Sequence, residues 1–374
     1  MTAPVSDADI GQAVKPGNQD DRRAGPAGLA VTLVVLTVLL VVSATAGLAI
    51  GSVQVPPGQV WGIVTHALGA DWSTPDWSNA RETIVLDVRA PRVLLGGVAG
   101  AGLAVVAPHC RALIQSLAEP YLLGVSSCVR PWAPSGGDRC SGVNPARTGI
   151  ASSAAAFAGA LGALLLVYAT ARTGGRITSS SAGSCPGVAI AAVLTAVLDL
   201  LLLTTDRGNE ARQVLAWTLG GLGGVNWDTL WLPSAALLLG IAVLMVQARN
   251  LNLLLAGEEG SDHDGAGCGR FRARMFVLLS LVTGILVAAC GPIGFVGLML
   301  PHIVRLIVGG DHRRVLPTAA LGGAVFLIWA DIAARIVAAP MEIPVGVLTA
   351  LCGGPFFLWL MRRDARRNTD RGGA

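Results

Sequence analysis

Ionisable side chains at the edges of long apolar runs are the first candidates for chemistry. Asp199 and Asp331 lie near the ends of two such runs, and Glu342 lies at the start of the last one. An ionisable residue inside a membrane span is costly to bury and usually has a function. Asp331 and Arg335 are four residues apart, so a local ion pair on one helix is an equal alternative. A proton-coupled carrier would place acidic residues nearer the membrane midplane, which argues against a secondary transporter.

Motifs for nucleotide hydrolysis and for common hydrolases are missing from the sequence. The only lysine is Lys15, in Val-Lys-Pro-Gly, whereas a P-loop needs Lys followed by Ser or Thr after a glycine-rich turn. Neither HExxH nor GxSxG occurs, and the seven cysteines form no CxxC pair. We therefore expect a protein that is not an enzyme and that holds no cofactor and no metal.

The composition is that of a polytopic membrane protein. Of the 374 residues, 53% are hydrophobic and 13% are charged, against about 25% charged in soluble domains. Mean hydropathy is +0.62. The basic residues are scattered and only 5% of the residues are aromatic, so we expect the lipid bilayer, and not nucleic acid, as a partner.

The apolar runs predict an all-α membrane protein with about ten transmembrane helices. A shorter run at 292–308 is broken by glycine and proline, and a further span is expected near 123–148. We expect a polar N-terminal tail at 1–25, a membrane domain at 26–363 and a C-terminal tail at 364–374. The runs of spanning length are 27–50, 93–108, 150–171, 184–204, 229–247, 275–290, 316–334 and 343–361.

The distribution of basic residues predicts the orientation. If the N-terminus lies inside and the chain alternates through ten spans, twice as many lysines and arginines fall inside as outside. Short cytoplasmic loops carry this excess in membrane proteins. The sequence therefore predicts a multi-pass protein of the cytoplasmic membrane with both termini in the cytoplasm.

One apolar segment is interrupted in a way that predicts a break followed by a short helix. Residues 291–305 contain two prolines and three glycines. Proline removes a helical hydrogen bond, and irregular backbone at membrane depth is tolerated only where protein or a cavity buries it. A kinked structural helix is the alternative that composition leaves open. The residues of this broken-helix segment are Gly291, Pro292, Gly294, Gly297, Pro301 and His302.

Several motifs, in order along the chain, carry a resemblance to a known family. The most specific is the stretch 291–317. The others are Arg89-Ala-Pro-Arg92-Val-Leu-Leu, Leu117-Ala-Glu-Pro-Tyr-Leu-Leu-Gly, Arg212-Gln-Val-Leu-Ala-Trp-Thr-Leu-Gly220, Leu251-Asn-Leu-Leu-Leu-Ala-Gly-Glu-Glu259, Ala330-Asp-Ile-Ala-Ala-Arg335 and Glu342-Ile-Pro-Val-Gly. From about residue 50 to 363 the chain resembles the FecCD-like permeases, the transmembrane subunits of ABC importers for iron-siderophores, haem and cobalamin.

This resemblance implies a type II-like ABC importer permease fold and a set of partners. They are a second permease subunit in a homodimer or heterodimer, two ATP-binding subunits on the cytoplasmic side and an extracytoplasmic substrate-binding protein. The implied cargo is a metal chelate, with a ferric siderophore favoured and cobalamin or haem as alternatives within the family. The alternatives from other functional classes are a secondary transporter or channel, and a membrane enzyme.

The resemblance also assigns two sets of site residues. Arg89, Arg92 and Arg335 match the positions where the family receives acidic residues of the binding protein, so we expect them to be exposed outside; plain interfacial anchors are the alternative. The inner loop 248–274 matches the segment that couples to the ATPase. Its predicted coupling residues are Glu258, Glu259 and Gly265.

Three stretches depart from the family pattern: 109–116, 125–149 and 177–186. Residues 128–147 contain three arginines, one aspartate and three prolines, which no lipid-facing helix tolerates. Each stretch is bounded by good matches, as a pair of compensating frameshifts would produce. This hypothesis predicts family-like peptides in the other two reading frames and an altered third span.

Overall fold

The computed structural model describes five long parts of the chain and one shorter part. These are residues 26–51, 53–69, 76–114, 215–256, 265–339 and 341–372, together with single positions at 193, 196 and 200. Every regular element in these ranges is helical, which confirms the all-α prediction. The spans expected at 123–148 and 150–171, and nearly all of the span at 184–204, lie outside the described residues.

The described helices follow the predicted spans closely, with two short helices and one π-helical turn that the apolar pattern did not predict. The short helices are α2 and α3, and the π-helical turn joins α3 to α4. In chain order the elements are α1 (Pro26–Ala49), α2 (Pro57–Ala67), α3 (Asn79–Thr83), the π-helical turn (Ile84–Arg89), α4 (Ala90–Ile114), α5 (Trp227–Ala256), α6 (Gly265–Cys290), α7 (Val296–Val308), α8 (His312–Ile336) and α9 (Val345–Gly372).

Local chemistry sets several of these boundaries. Pro26 and Pro57 are the first residues of α1 and α2, where a missing backbone N–H costs nothing. Asp311 caps α8, since its carboxylate accepts a hydrogen bond of 3.0 Å from the backbone N–H of Arg313. Gly309 ends α7 with φ of +91°, a backbone conformation that suits glycine.

Five of the described helical segments are long and apolar enough to cross a bilayer. They are Gly28–Ala49, Asn79–Val106, Trp227–Asn250, His312–Ile336 and Val345–Arg363; two shorter apolar segments are Val277–Cys290 and Val296–Val308. Valines along α1, among them Val31, Val34 and Val38, are more than half exposed. An apolar surface of this kind is stable in lipid or against another apolar surface.

Helices α4 and α8 pack against each other at the centre of the described structure. Leu95 and Ala99 of α4 and Leu327 and Ala334 of α8 have no exposed surface and belong to one buried cluster. The two backbones meet at Gly100 and Gly323, where a Cβ on either residue would overlap the carbonyl oxygen of the other. Small residues allow this close approach, which drives helix packing in membranes.

We expect Gly100→Ala and Gly323→Ala to destabilise the fold by about 1–3 kcal/mol, because the added methyl meets backbone that cannot rotate away. Gly97→Ala and Gly322→Ala are matched controls on the same two helices, since their Cβ atoms would make ordinary contacts at 3.8 and 3.7 Å. The thermal midpoint of detergent-purified protein tests this. Equal midpoints for all four variants would show that the crossing of α4 and α8 is looser than described.

Candidate functional site

The broken-helix segment has the predicted form. Helix α6 ends at Cys290, residues 291–294 are irregular, and α7 begins at Val296. Phe295 has φ of +66°, a left-handed conformation that is uncommon for a bulky residue. The structure therefore has a break followed by a short helix and no kinked continuous helix, while a functional role for this segment stays a prediction.

The remaining residues of this segment lie on both sides of the break. Gly291 and Gly297 are buried, whereas Pro292 and Gly294 are half-buried. Further along α7, Pro301 is buried and His302 is half-buried. The segment thus packs inside the protein, as irregular backbone in a membrane requires.

Two non-helical segments and the first turn of α9 meet at this break and bond to one another. The backbone N–H of Gly221 donates to the carbonyl of Cys290 at 2.9 Å, and the N–H of Gly346 donates to the carbonyl of Gly220 at 3.1 Å. Gly220 and Gly291 have φ of +74° and +71°. We call Gly220, Gly221, Gly291, Pro292 and Gly346 the glycine junction.

The glycine junction has no room for side chains at three of its positions. A Cβ on Gly220 would overlap the carbonyl oxygen of Pro292, and one on Gly346 would overlap that of Leu219. A Cβ on Gly291 would overlap the carbonyl oxygen of Trp217. The sequence predicted Gly291 and Pro292 as part of this site but not their partners Gly220 and Gly346. Both glycines lie in the motifs quoted above, at the end of Trp-Thr-Leu-Gly and in Ile-Pro-Val-Gly, but a motif does not show which residues are close in space.

A second constellation surrounds the end of α1. The guanidinium of Arg89 donates from Nη1 to the carbonyls of Leu48 at 2.7 Å and Ala49 at 3.1 Å, and from Nη2 to the carbonyl of Val53. The guanidinium of Arg335 donates from Nη1 to the carbonyls of Gly47 at 3.1 Å and Ile50 at 3.2 Å. We call Arg89 and Arg335 the arginine cap.

The arginine cap answers a general problem of helix ends. The last carbonyls of a helix have no partner within it and carry a partial negative charge. Positive side chains with several donors satisfy both requirements. Arg89 reaches the end of α1 from the π-helical turn that precedes α4. Short π-helical turns often occur at functional sites. Gly51 leaves space for its guanidinium, since a Cβ there would lie 2.6 Å from Nη2.

Ion pairs extend from the arginine cap to the protein surface. Oδ2 of Asp331 lies 3.0 Å from Nη2 of Arg335. Oδ1 of Asp331 accepts a hydrogen bond of 2.9 Å from Nε of Arg92. Nη2 of Arg92 also lies 2.9 Å from Oδ1, and its Nη1 donates to Oε2 of Glu342 at 2.8 Å. We call this sequence of Arg335, Asp331, Arg92 and Glu342 the ion-pair chain. The local pair predicted between Asp331 and Arg335 therefore forms.

The structure corrects the expectation that all three arginines are exposed. Arg89 is 5% exposed and Arg335 is 8% exposed. Both are buried because the carbonyls at the end of α1 need donors. The three arginines do share one end of the bundle, and their role in docking stays a prediction. Glu342 was noted in the sequence only as an acidic residue at the start of a span, because its partner Arg92 is 250 residues away.

The other predicted site residues and departures are described only in part. Gly265 is the first residue of α6, while Glu258 and Glu259 lie outside the described residues, so their coupling role stays a prediction. Helix α4 continues to Ile114, within the first departing stretch. The stretches at 125–149 and 177–186 lie outside the described residues, and the frameshift hypothesis also stays a prediction.

Two histidines that are far apart in the sequence, His109 and His312, lie side by side. The rings of His109 and His312 are 5.0 Å apart between centroids, and both residues are 1% exposed. Nδ1 of His109 lies 2.6 Å from the carbonyl oxygen of Val105. Two imidazoles are too few for a metal centre, and the described ranges hold no group of three or more His, Cys, Asp or Glu residues with metal-binding geometry.

Comparison with known proteins gives consistent matches over most of the chain. The model of the FecCD transport family matches residues 36–363. The hemin transport system permease protein HmuU of Yersinia pestis is 35% identical over 89% of this chain and 96% of its own length. The cobalamin import system permease protein BtuC of Halobacterium salinarum is 37% identical over 89% and 95%.

A solved structure supports the same relationship. It is described as an inward-facing conformation of a metal-chelate type ABC transporter, and it superposes with a TM-score of 0.71 at 26% identity. The alignment covers 89% of this chain and 99% of the solved one. The all-α permease fold predicted from the sequence is confirmed by this similarity.

We expect Gly220→Ala and Gly346→Ala to lower the yield of monodisperse protein sharply, because each methyl would overlap a backbone carbonyl in the glycine junction. Gly221→Ala is the matched control: its Cβ would meet nothing within 4 Å, and alanine keeps the N–H that bonds to Cys290. Size-exclusion chromatography of detergent extracts measures the yield. Wild-type yields for Gly220→Ala and Gly346→Ala would contradict the close approach.

We expect Arg89→Met to destabilise the protein by about 1–3 kcal/mol for each carbonyl left without a donor. Leu48 and Val53 lose their bonds from Arg89, whereas the carbonyl of Ala49 keeps a bond from the N–H of Val55. Arg81→Met is the control, since it removes an arginine of the same region that bonds only to the side chain of Gln59 among the contacts described. Similar thermal midpoints for the two variants would exclude the capping role.

Proposed function

Because the chain belongs to the FecCD transport family, we propose that it is the membrane-spanning permease subunit of an ABC importer for a metal chelate. The observation that carries this proposal is the family match over nearly the whole membrane domain. The solved structure of similar fold and the two permease relatives support the same activity. A transport subunit of this kind forms a path through the membrane and is not itself an enzyme.

The cargo we propose is a metal chelate of the size of a ferric siderophore, haem or cobalamin. Within the family resemblance a ferric siderophore is the favoured cargo, whereas the relatives carry the names of hemin and cobalamin permeases. Because relatives with different named cargoes are 35% and 37% identical, overall identity does not discriminate between them. A direct uptake measurement with all three chelates is therefore part of the proposal.

The proposed partners follow from membership of the family. With Lys15 as its only lysine, the chain has no P-loop, which fits an arrangement in which two ATP-binding subunits on the cytoplasmic side hydrolyse ATP. Glu258, Glu259 and Gly265 would face those subunits. A second permease subunit completes the transport path, and a substrate-binding protein delivers the chelate from outside.

The proposed orientation places the arginine cap outside. The N-terminal tail 1–25 and the C-terminal tail 364–374 would lie in the cytoplasm, with the membrane domain at 26–363. Helix α1 has 24 residues, which at 1.5 Å per residue is about 36 Å and enough to cross the bilayer. Its end at Ala49 then reaches the outer surface, where Arg92 and the ion-pair chain would face the binding protein.

We expect the purified chain in liposomes to hydrolyse no ATP and to take up no chelate by itself. Uptake should appear when the ATP-binding subunits, ATP and the loaded binding protein are added, with one of ferric siderophore, haem or cobalamin strongly preferred. A variant ATPase without its P-loop lysine is the control. Uptake that follows a proton gradient without ATP would overturn the proposal in favour of a secondary transporter.

Coupling to the ATPase has its own test. Replacing Glu258 and Glu259 together by Lys should weaken co-purification of the ATP-binding subunits, because it reverses two charges in the predicted contact. Arg362→Glu and Arg363→Glu together provide a control with a charge change of equal size and opposite sign at the predicted cytoplasmic end of α9. Unchanged co-purification of the Glu258 and Glu259 variant would show that the coupling surface lies elsewhere.

A further inference from the structure

We propose that Glu342 competes with the binding protein for Arg92. Its carboxylate pairs with Arg92 in the undocked permease, and an acidic side chain of the binding protein replaces it on docking. We call Glu342 the competitor. The inference rests on the proposed function, in which a binding protein docks at this end. It concerns a residue of this chain that the docking prediction did not include. It also separates the three predicted docking arginines into two groups.

Arg89 and Arg335 are already committed to the fold. Their guanidinium groups bond to backbone carbonyls around the end of α1, and both residues are buried. An incoming carboxylate could reach them only by leaving those carbonyls without donors. These two arginines therefore hold the site in shape and are not available for exchange.

Arg92 has one permanent partner and one exchangeable partner. Its Nε and Nη2 face Asp331, whose side chain is 2% exposed and which also pairs with Arg335. Its Nη1 faces Glu342, whose side chain is 56% exposed. Removing one member of a buried pair leaves an uncompensated charge, whereas exposed pairs contribute little to stability. Exposure thus rises from 2% at Asp331 through 12% at Arg92 to 56% at Glu342, and the pair at this outer end is the one that opens.

Exchange at Nη1 conserves the chemistry of the site. A carboxylate from the partner would take the place of the Glu342 carboxylate, so Arg92 keeps the same number of charged partners and no new charge is buried alone. The movement requires only the side chain of Glu342, which is 56% exposed. The backbone beside it stays in place, because the N–H of Ile343 donates to the carbonyl of Ala334 at 3.1 Å.

The competitor also sets the field that the partner meets. Three arginines and two carboxylates leave this end with a net charge of +1 at the cap and ion-pair chain. Without Glu342 the net charge would be +2, and an acidic partner would be attracted more strongly at long range. Glu342 therefore slows the encounter with any acidic surface and favours a partner whose carboxylate fits Arg92 well enough to displace it.

The test is the association rate of the binding protein with the complete importer in lipid nanodiscs, at low and at physiological salt. We expect Glu342→Gln to raise this rate about three- to tenfold at low salt, with a smaller rise at physiological salt. Glu342→Ala serves as a second variant, since glutamine can still accept a hydrogen bond from Arg92. Glu82→Gln is the matched control, because it removes one negative charge at a half-buried position on α3 that bonds to Trp77 and not to Arg92.

Variants of Arg92 and Glu342 together distinguish the role of Glu342 as a competitor from the docking of the binding protein. In an Arg92→Gln background, Glu342→Gln should raise the rate much less than it does in the parent, because only the long-range charge effect is left, while Arg92→Gln alone should slow association. If Arg92→Gln slows association and neither Glu342 variant speeds it, the docking prediction is kept and the proposed role of Glu342 as a competitor is overturned. Equal acceleration by Glu342→Gln and Glu82→Gln would also overturn it, as a general charge effect. If neither Arg92 nor Glu342 variants alter the rate, the docking prediction at this end has failed.

Discussion

The described structure depends on how the end of α1 is satisfied. A helix that stops near a membrane surface leaves its last carbonyls without partners, and burying them unpaired costs free energy. Arg89, from the π-helical turn before α4, and Arg335, from the end of α8, supply the donors. Their bonds fasten α1 to the two helices at the centre of the protein, so one local requirement fixes the positions of three spans.

The same requirement determines what remains for function. Two of the arginines that the family resemblance marked for docking are used inside the fold, and Asp331 holds the third in place. Only the outer side of Arg92, against the exposed Glu342, remains open to exchange. A group of charges can thus serve structure at its buried end and recognition at its exposed end, because exposure decides which ion pairs can open.

Glycines allow close backbone contacts at two places in the described structure. At the crossing of α4 and α8 they let two backbones touch, and at the glycine junction they let two irregular segments and the start of α9 share hydrogen bonds. In both places the nearest obstacle to a side chain is a carbonyl group, which cannot turn aside as a side chain can. Irregular backbone at the break after α6 is thereby satisfied within the protein, as a membrane requires.

The sequence by itself determined the all-α membrane class, most of the spans in the described ranges and the break at Gly291 and Pro292, because hydrophobic run length and proline chemistry act locally. Ordered motifs were sufficient for the family. Only the tertiary structure decided that Arg89 and Arg335 are buried, that Arg92 pairs with Glu342, and that Gly220 and Gly346 complete the junction. These contacts join residues far apart in the chain, and the register of one helix against another depends on packing that no local pattern contains.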